Sequence, residues 1–465
     1  MQRRHLGPVV FLILWTISSI AAAAGDTAPG RSPADLERAG VEEGATGDTP
    51  GDTPSFAEGA TVEATLVLAE GDTTPGVSGT VVSLNQPFVN SVGNPGFTGN
   101  ADENFVWSGG GVIWVNSNGL PSTLAGAEFT MGIGDTGEFI YSPSIDGEDG
   151  VWTHQGKLAR ETEPAPGLPA GTNSTFHSRP TMIPPGQAFW VAGHGDGSGG
   201  TTSVGRIFYT STDGTPATIS IVFKTGDAIA GQIIDASGVD FDYDISDNAA
   251  HHIHPLDMVG STSSDGFLYV DGALVAREGD PNGSGIDNWS AFDFVSINNA
   301  GDYLFSGDTD GSTGSDEFIA HNGAIILREG DTVDGVTLAA GFTVRGVGIN
   351  NLGEAVFGWG SGTTEHLFVA CDASDLQATG HLVLSTGDDV DLDANGTPDA
   401  TVTDLPNGIV HNFQFGDDGR FFIAAGLDFG GGEISTIIGL DLEYCSLFSD
   451  GFESGNTTAW DQTVP

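Results

Sequence analysis

Basic residues are what this sequence has least of. Thirteen Lys and Arg stand against 63 Asp and Glu in 465 residues, a formal charge of −50. A chain so acidic is repelled by phosphate backbones and anionic headgroups, which excludes nucleic acid and anionic membrane as partners. Cysteine is almost absent: only Cys371 and Cys445 occur. That rules out a multi-disulfide scaffold and leaves either one bond between them or two buried thiols. No long helical periodicity is present, whereas Gly numbers 71, a combination that points to many short strands and turns. Catalytic signatures are missing as well. The chain has no G-x-S-x-G elbow, no H-E-x-x-H, no phosphate-binding glycine loop and no sialidase-type S-x-D-x-G-x-x-W box. Carboxylates are so abundant that their presence decides nothing about catalysis, and no catalytic residues are expected.

The one long apolar run is Val9 to Ile20, with Arg3 and Arg4 before it and Ala22-Ala23-Ala24 after it. A basic start, an apolar centre and a small-residue cleavage site predict a secretory signal peptide over residues 1–24, too short for a membrane span. The protein is therefore expected to be secreted, extracellular or at the cell surface. Cleavage removes two arginines and no acid, taking the charge from −50 to −52. Such an excess suits calcium, a cationic ligand or a saline medium, and equally plain solubility. Residues 25–60 are rich in Gly, Pro, Asp and Thr and predict a disordered spacer.

A repeat organises the rest of the chain. The frame N-x-x-G-x-x-x-F recurs at Asn90/Gly93/Phe97, Asn298/Gly301/Phe305 and Asn350/Gly353/Phe357. Weaker copies are GDTGEFIY from Gly134, IPPGQAFW from Ile183, DNAAHHIH from Asp247 and GDDGRFFI from Gly416. Seven copies at about 54-residue intervals fall in the range of propeller and solenoid repeats. Each copy reads as four strands, clearest in FDFVSIN, DYLFSGD, DEFIAH and AIILREGD between residues 292 and 331. Asn322-Gly323 and Asp271-Gly272 between apolar runs are two-residue hairpin turns, because both residue types tolerate positive φ. The predicted fold is all-β: a seven-bladed β-propeller of four-stranded antiparallel blades over residues 61–445. ATLVLAEGD (Ala64 to Asp72) is a fourth strand without partners before it, and the last copy lacks a fourth strand. An N-terminal strand completing the last blade explains both and removes an open sheet edge. Each Asn of the repeat is expected to bond its own turn, each following aromatic to face the core, and each Gly-Asp pair to end a fourth strand.

The N-x-x-G-x-x-x-F and VAREGD pattern resembles exported bacterial tandem-repeat proteins of the N-x-x-G-x-A-F type, to which no function is assigned. The resemblance spans roughly residues 64–445 and is strongest over 266–370; it implies an exported repeat domain and no particular chemistry. FSDGFESGNTTAW (Phe448 to Trp460) resembles a short C-terminal tail of secreted bacterial proteins, and residues 446–465 are set apart as that tail.

Two clusters carry candidate chemistry. DVDLDANGTPD places Asp389, Asp391, Asp393, Asn395 and Asp399 around Gly396, in the manner of D-x-D-x-[DN]-G calcium loops, where hard oxygen ligands converge at a sharp bend. Val402 stands where a helix–loop–helix site carries Glu, so the likeness is to short type-3 thrombospondin-like loops. The alternative is an acidic turn with no ion. GDTDGSTGSDE, with Asp308, Asp310, Asp316 and Glu317, is a weaker candidate of the same kind. HHIHP offers His252 and His254 on one face of a strand, with Asp257 as a further ligand for a transition metal; the alternative is histidines that are simply exposed or hydrogen-bonded. Long loops gather on the face opposite the N-x-x-G turns, where binding belongs. The expectation is a monomeric binding or interaction module, calcium-stabilised, whose partner is an extracellular ligand such as a glycan or surface protein. An extracellular glycan-active hydrolase or lyase is the alternative, and it predicts facing carboxylates with aromatic walls near the central channel.

Overall fold

A computed structural model of the chain describes residues 61–115, 124–145, 147–195, 203–235, 242–261, 264–361, 363–405, 413–442 and 445. The expected signal peptide, spacer and C-terminal tail lie outside these residues.

All seven repeat copies fold as the sequence predicts. In the fifth blade, Val295–Ile297, Tyr303–Asp308, Glu317–His321 and Ala324–Arg328 pair antiparallel in that order. The first to fourth and sixth blades repeat the plan, and the result is a seven-bladed β-propeller. The seventh blade is closed by Thr65–Ala69, which pairs antiparallel with Glu433–Asp441. Asn322 and Gly323 have φ of 48° and 84°, and Asp271 and Gly272 have 52° and 75°, the left-handed pair that a tight hairpin requires.

The repeat asparagines hold more than their own turns. Asn350 Oδ1 accepts from the N–H groups of Leu352 and Glu354, while its Nδ2 donates to the carbonyl of Gly416 in the next blade at 3.3 Å. Asn298 donates to Asn350 O at 3.1 Å and Asn90 to Gly134 O at 3.2 Å. One amide thus caps its turn and staples adjacent blades, which uses all its buried polar capacity. The Gly-Asp pairs also act locally: Asp72, Asp227, Asp331 and Asp388 each accept from the backbone N–H three residues earlier. The eighth frame positions Phe97, Phe305 and Phe357 are wholly buried between blades.

Cys371 and Cys445 form a disulfide, the first of the two alternatives. It ties the segment after the third strand of blade six to the end of blade seven. One feature of the closure was not legible. Thr61–Glu63, just before the closing strand, pairs in parallel with Asp389–Asp391, and Ala64 N–H donates to Asp391 O at 3.0 Å.

Candidate functional site

Between later blades the fourth strand is followed by a short hairpin or loop that leads into the next blade. Between blades four and five it is Asp280–Asn288, and between five and six the pair Thr332–Val333 and Val336–Thr337. Between blades six and seven it lengthens into Asp389–Asp391, which pairs with Ala400–Asp404, the first strand of blade seven. The D-x-D-x-N-G segment is the turn of that enlarged hairpin.

Three of its five candidate ligands converge. Carboxylate oxygens of Asp391, Asp393 and Asp399 lie within 4.8 Å of one another. Among the described residues no other group of three His, Cys, Asp or Glu does so. Asp391 is buried, and its carboxylate accepts from the N–H groups of Asp393 at 3.3 Å, Asn395 at 3.2 Å and Gly396 at 2.6 Å. Burial disfavours its charge, but those amides outweigh it and hold the pKa below the usual carboxylate range. Asp399 accepts from Leu392 N–H at 2.9 Å, whereas Asn395 Oδ1 turns to Thr397 N–H at 2.8 Å. Asp389 accepts from Thr401 Oγ1 at 2.8 Å, in the ladder rather than the cluster. Asp393 is exposed. Three carboxylates held by backbone geometry form a hard-oxygen set of the kind calcium takes.

The weaker acidic loop is knit differently. Asp287 takes Arg328 in a two-pronged pair at 2.8 and 3.0 Å and also accepts from Ser284 and Thr309. Asp310 accepts from both the N–H and Nδ2 of Asn288. Asp308, Asp310, Asp316 and Glu317 do not converge.

The histidine segment splits by strand parity. His252 and His254 share a face of His252–Asp257, with ring centres 5.0 Å apart. Asp257 is odd to their even, so it points to the other face, where Asp265, Glu278 and Asp235 lie near it. Burial, then those three carboxylates, push its pKa up to about 6.

Sequence reasoning missed Arg179 and the cavity it lines. Arg179 lines a 50 Å³ cavity at the axis with Gln86, Pro87, Phe88, Tyr243 and Asp244. It sits at a bulge in Ser174–Ile183 with φ of 50° and pairs with Asp242. A non-glycine residue in that region is strained, which is a signal no repeat pattern carries.

Several carboxyls are buried near the axis and loop face. Burial, then Asp308 and Asp293, push Glu317 up against the opposing pull of the Val344 N–H at 2.8 Å. Asp244 is pushed up to about 7 by burial, opposed by the Ile297 N–H. Glu365 is raised for the same reason, although Arg345 lies 2.9 Å away. Such groups hold a proton in the native state that the unfolded chain has released above about pH 4. Their stabilisation is complete below that value and is lost as pH rises through the folded pKa. Buried His254 and His177, lowered (His177 to about 3), act oppositely, since the unfolded chain gains their protons below about pH 6.5. Above that pH only the carboxyls contribute a slope. The melting temperature is therefore expected to fall between pH 6.5 and 9, and Glu317→Gln to flatten the fall. A profile that rises over this window, in buffers of fixed ionic strength, contradicts the assignment.

The tryptophans separate the two functional expectations. Trp107, Trp190, Trp289 and Trp359 are 8%, 0%, 4% and 0% exposed, all packed in cores between blades. Trp114's side chain lies outside the described residues.

No protein-family model matches the chain, and no curated protein does. Among solved structures it is similar to one from a study of two prolyl endopeptidases (10% identity, TM-score 0.40, covering 82% of this chain and 48% of that one). Prolyl oligopeptidase B of Galerina marginata gives 12% identity and a TM-score of 0.40, with 74% and 47% covered. The WD40 propeller domain of Doa1 gives 10% and 0.34, with 80% and 96% covered. The chain spans about half the length of the first two. Among the described residues no helix is long and apolar enough to cross a membrane.

Proposed function

We propose that this protein is an exported binding module: a rigid seven-bladed ring, stabilised by calcium, that presents its loop face to an extracellular glycan or surface protein. The observation that carries the reading is the convergence of Asp391, Asp393 and Asp399 at a hairpin inserted between the last two blades. Calcium there would neutralise a preformed cluster of like charges in a chain of −50 and brace the hairpin against the closing segment. Trp107, Trp190, Trp289 and Trp359 are buried between blades and supply none of the aromatic wall that the hydrolase alternative predicts.

Calorimetric titration of calcium into the chelator-treated protein tests this. One ion per chain is expected, with affinity weakened roughly tenfold or more by Asp393→Asn, since calcium affinity follows ligand charge. Asp393 is the clean choice because it is exposed and removal of its charge leaves the amide bonds to Asp391 in place. No heat, or unchanged affinity in the variant, rejects the site.

A further inference from the structure

The fourth blade departs from the repeat at its eighth position. Where the other copies place Phe97, Tyr141, Trp190, Phe305, Phe357 and Ile423, this blade places His254. Its ring is 1% exposed and sits among Phe208, Phe223 and Tyr243, with centre distances of 4.9, 5.0 and 5.9 Å. Neither ring nitrogen has a hydrogen-bond partner, and the Nδ1 of neighbouring His252 is likewise buried and unpartnered. A buried polar atom without a partner is destabilising, and a Phe would fit the repeat without that cost. Buried polar atoms left this way call for an occupant.

There is room for one. His252 and His254 line a cleft of about 510 Å³ between blades three and four, with Phe223, Leu256, Tyr269 and Asp227. Two imidazoles sharing one tetrahedral ion, with bonds of about 2.0–2.1 Å, stand with ring centres about 5 Å apart, and these stand 5.0 Å apart. Asp227 in the wall, although engaged by Lys224, and Asp271, which accepts from His252 N–H at 2.9 Å, bias the field toward a cation.

We propose that this cleft binds a divalent transition-metal ion of the zinc–copper class through the imidazoles of His252 and His254. Nitrogen donors select such ions over calcium, so the site is chemically distinct from the aspartate hairpin. Two protein ligands leave coordination positions open to the cleft, where a water or a small anion can enter.

Copper(II) added to the metal-free protein, followed by calorimetry and electron paramagnetic resonance, tests this. The expected result is one ion with nitrogen hyperfine structure from two imidazoles. Affinity should fall roughly tenfold or more in His252→Ala and in His254→Phe and stay unchanged in Asp393→Asn. His254→Phe should also melt higher than the parent without metal, because it removes the orphaned nitrogens. Absence of binding, or binding retained in both histidine variants, overturns the proposal. Should His254→Phe fail to fold, half-exposed His252→Ala still decides, since binding lost there supports the site and binding kept rejects it.

Discussion

A chain lacking residues 1–69 is expected to lose cooperative unfolding. The deletion takes away the fourth strand of blade seven and leaves Glu433–Asp441 as a bare edge. It also empties two cores. Leu68 is 5% exposed and packs in a cluster with Phe97, Phe105, Ala424 and Ile437, which belong to the first and last blades. Val62 packs with Val390, Val402, Leu427 and Ile438. Truncating one buried Leu costs about 2–5 kcal/mol, and a domain's whole stability is about 5–15 kcal/mol. Leu68→Asp alone, which adds a buried unpaired charge, should therefore bring the ring close to unfolding at room temperature. Thermal denaturation followed by circular dichroism reads both variants. A truncated chain that melts as sharply as the parent, within a few degrees of it, would mean that the ring does not depend on this strand.

Loss of the disulfide should be the next largest effect. Cys371 and Cys445 are 74 positions apart, and cross-linking a loop of that size restricts the unfolded chain by about 4 kcal/mol in the chain-entropy model. The bond also joins blade six to blade seven, beside the ring's closing joint. Cys371→Ser is expected to lower stability by about 2–4 kcal/mol and the melting temperature by several degrees. Adding a reductant to the parent should produce the same loss and should leave the variant unchanged. Equal melting of parent and variant under oxidising conditions would place the bond outside the folding equilibrium.

Much of the ring could be read from the chain because its signals are local. Three N-x-x-G turns join an Asx cap to a positive-φ glycine at fixed offsets and three further copies keep the glycine, so the period was visible before any contact was known. The closing strand was legible for a different reason: ATLVLAEGD ends in the Gly-Asp pair that also ends the fourth strands of blades three to six but has nothing before it to pair with. What escaped was nonlocal. Thr61–Glu63 alternates over only three residues, too few to stand out as a strand, so its parallel pairing with Asp389–Asp391 left no trace in the sequence. Arg179 gave no pattern because a strained backbone follows from the bulge and the axis around it. Asp257 was grouped with His252 and His254 by proximity in the chain, whereas strand parity sends it to the opposite face. The converging three were among the five residues that the D-x-D-x-N-G motif named, but the motif could not foresee that Asn395 and Asp389 would turn to backbone and ladder partners. The cleft beside His254 is built by side chains from two blades, and no single copy encodes it.

If the aspartate hairpin and the closing segment work as one calcium-braced joint, amide hydrogen exchange with and without calcium will read it directly. Ala64 donates to Asp391 O, and Thr61–Glu63 pairs with the hairpin itself. Calcium should therefore slow exchange in residues 61–69 and 389–404 together while leaving blades two to five unchanged, and Asp393→Asn should abolish the difference. Protection that is the same with and without calcium across both segments would contradict the proposed joint.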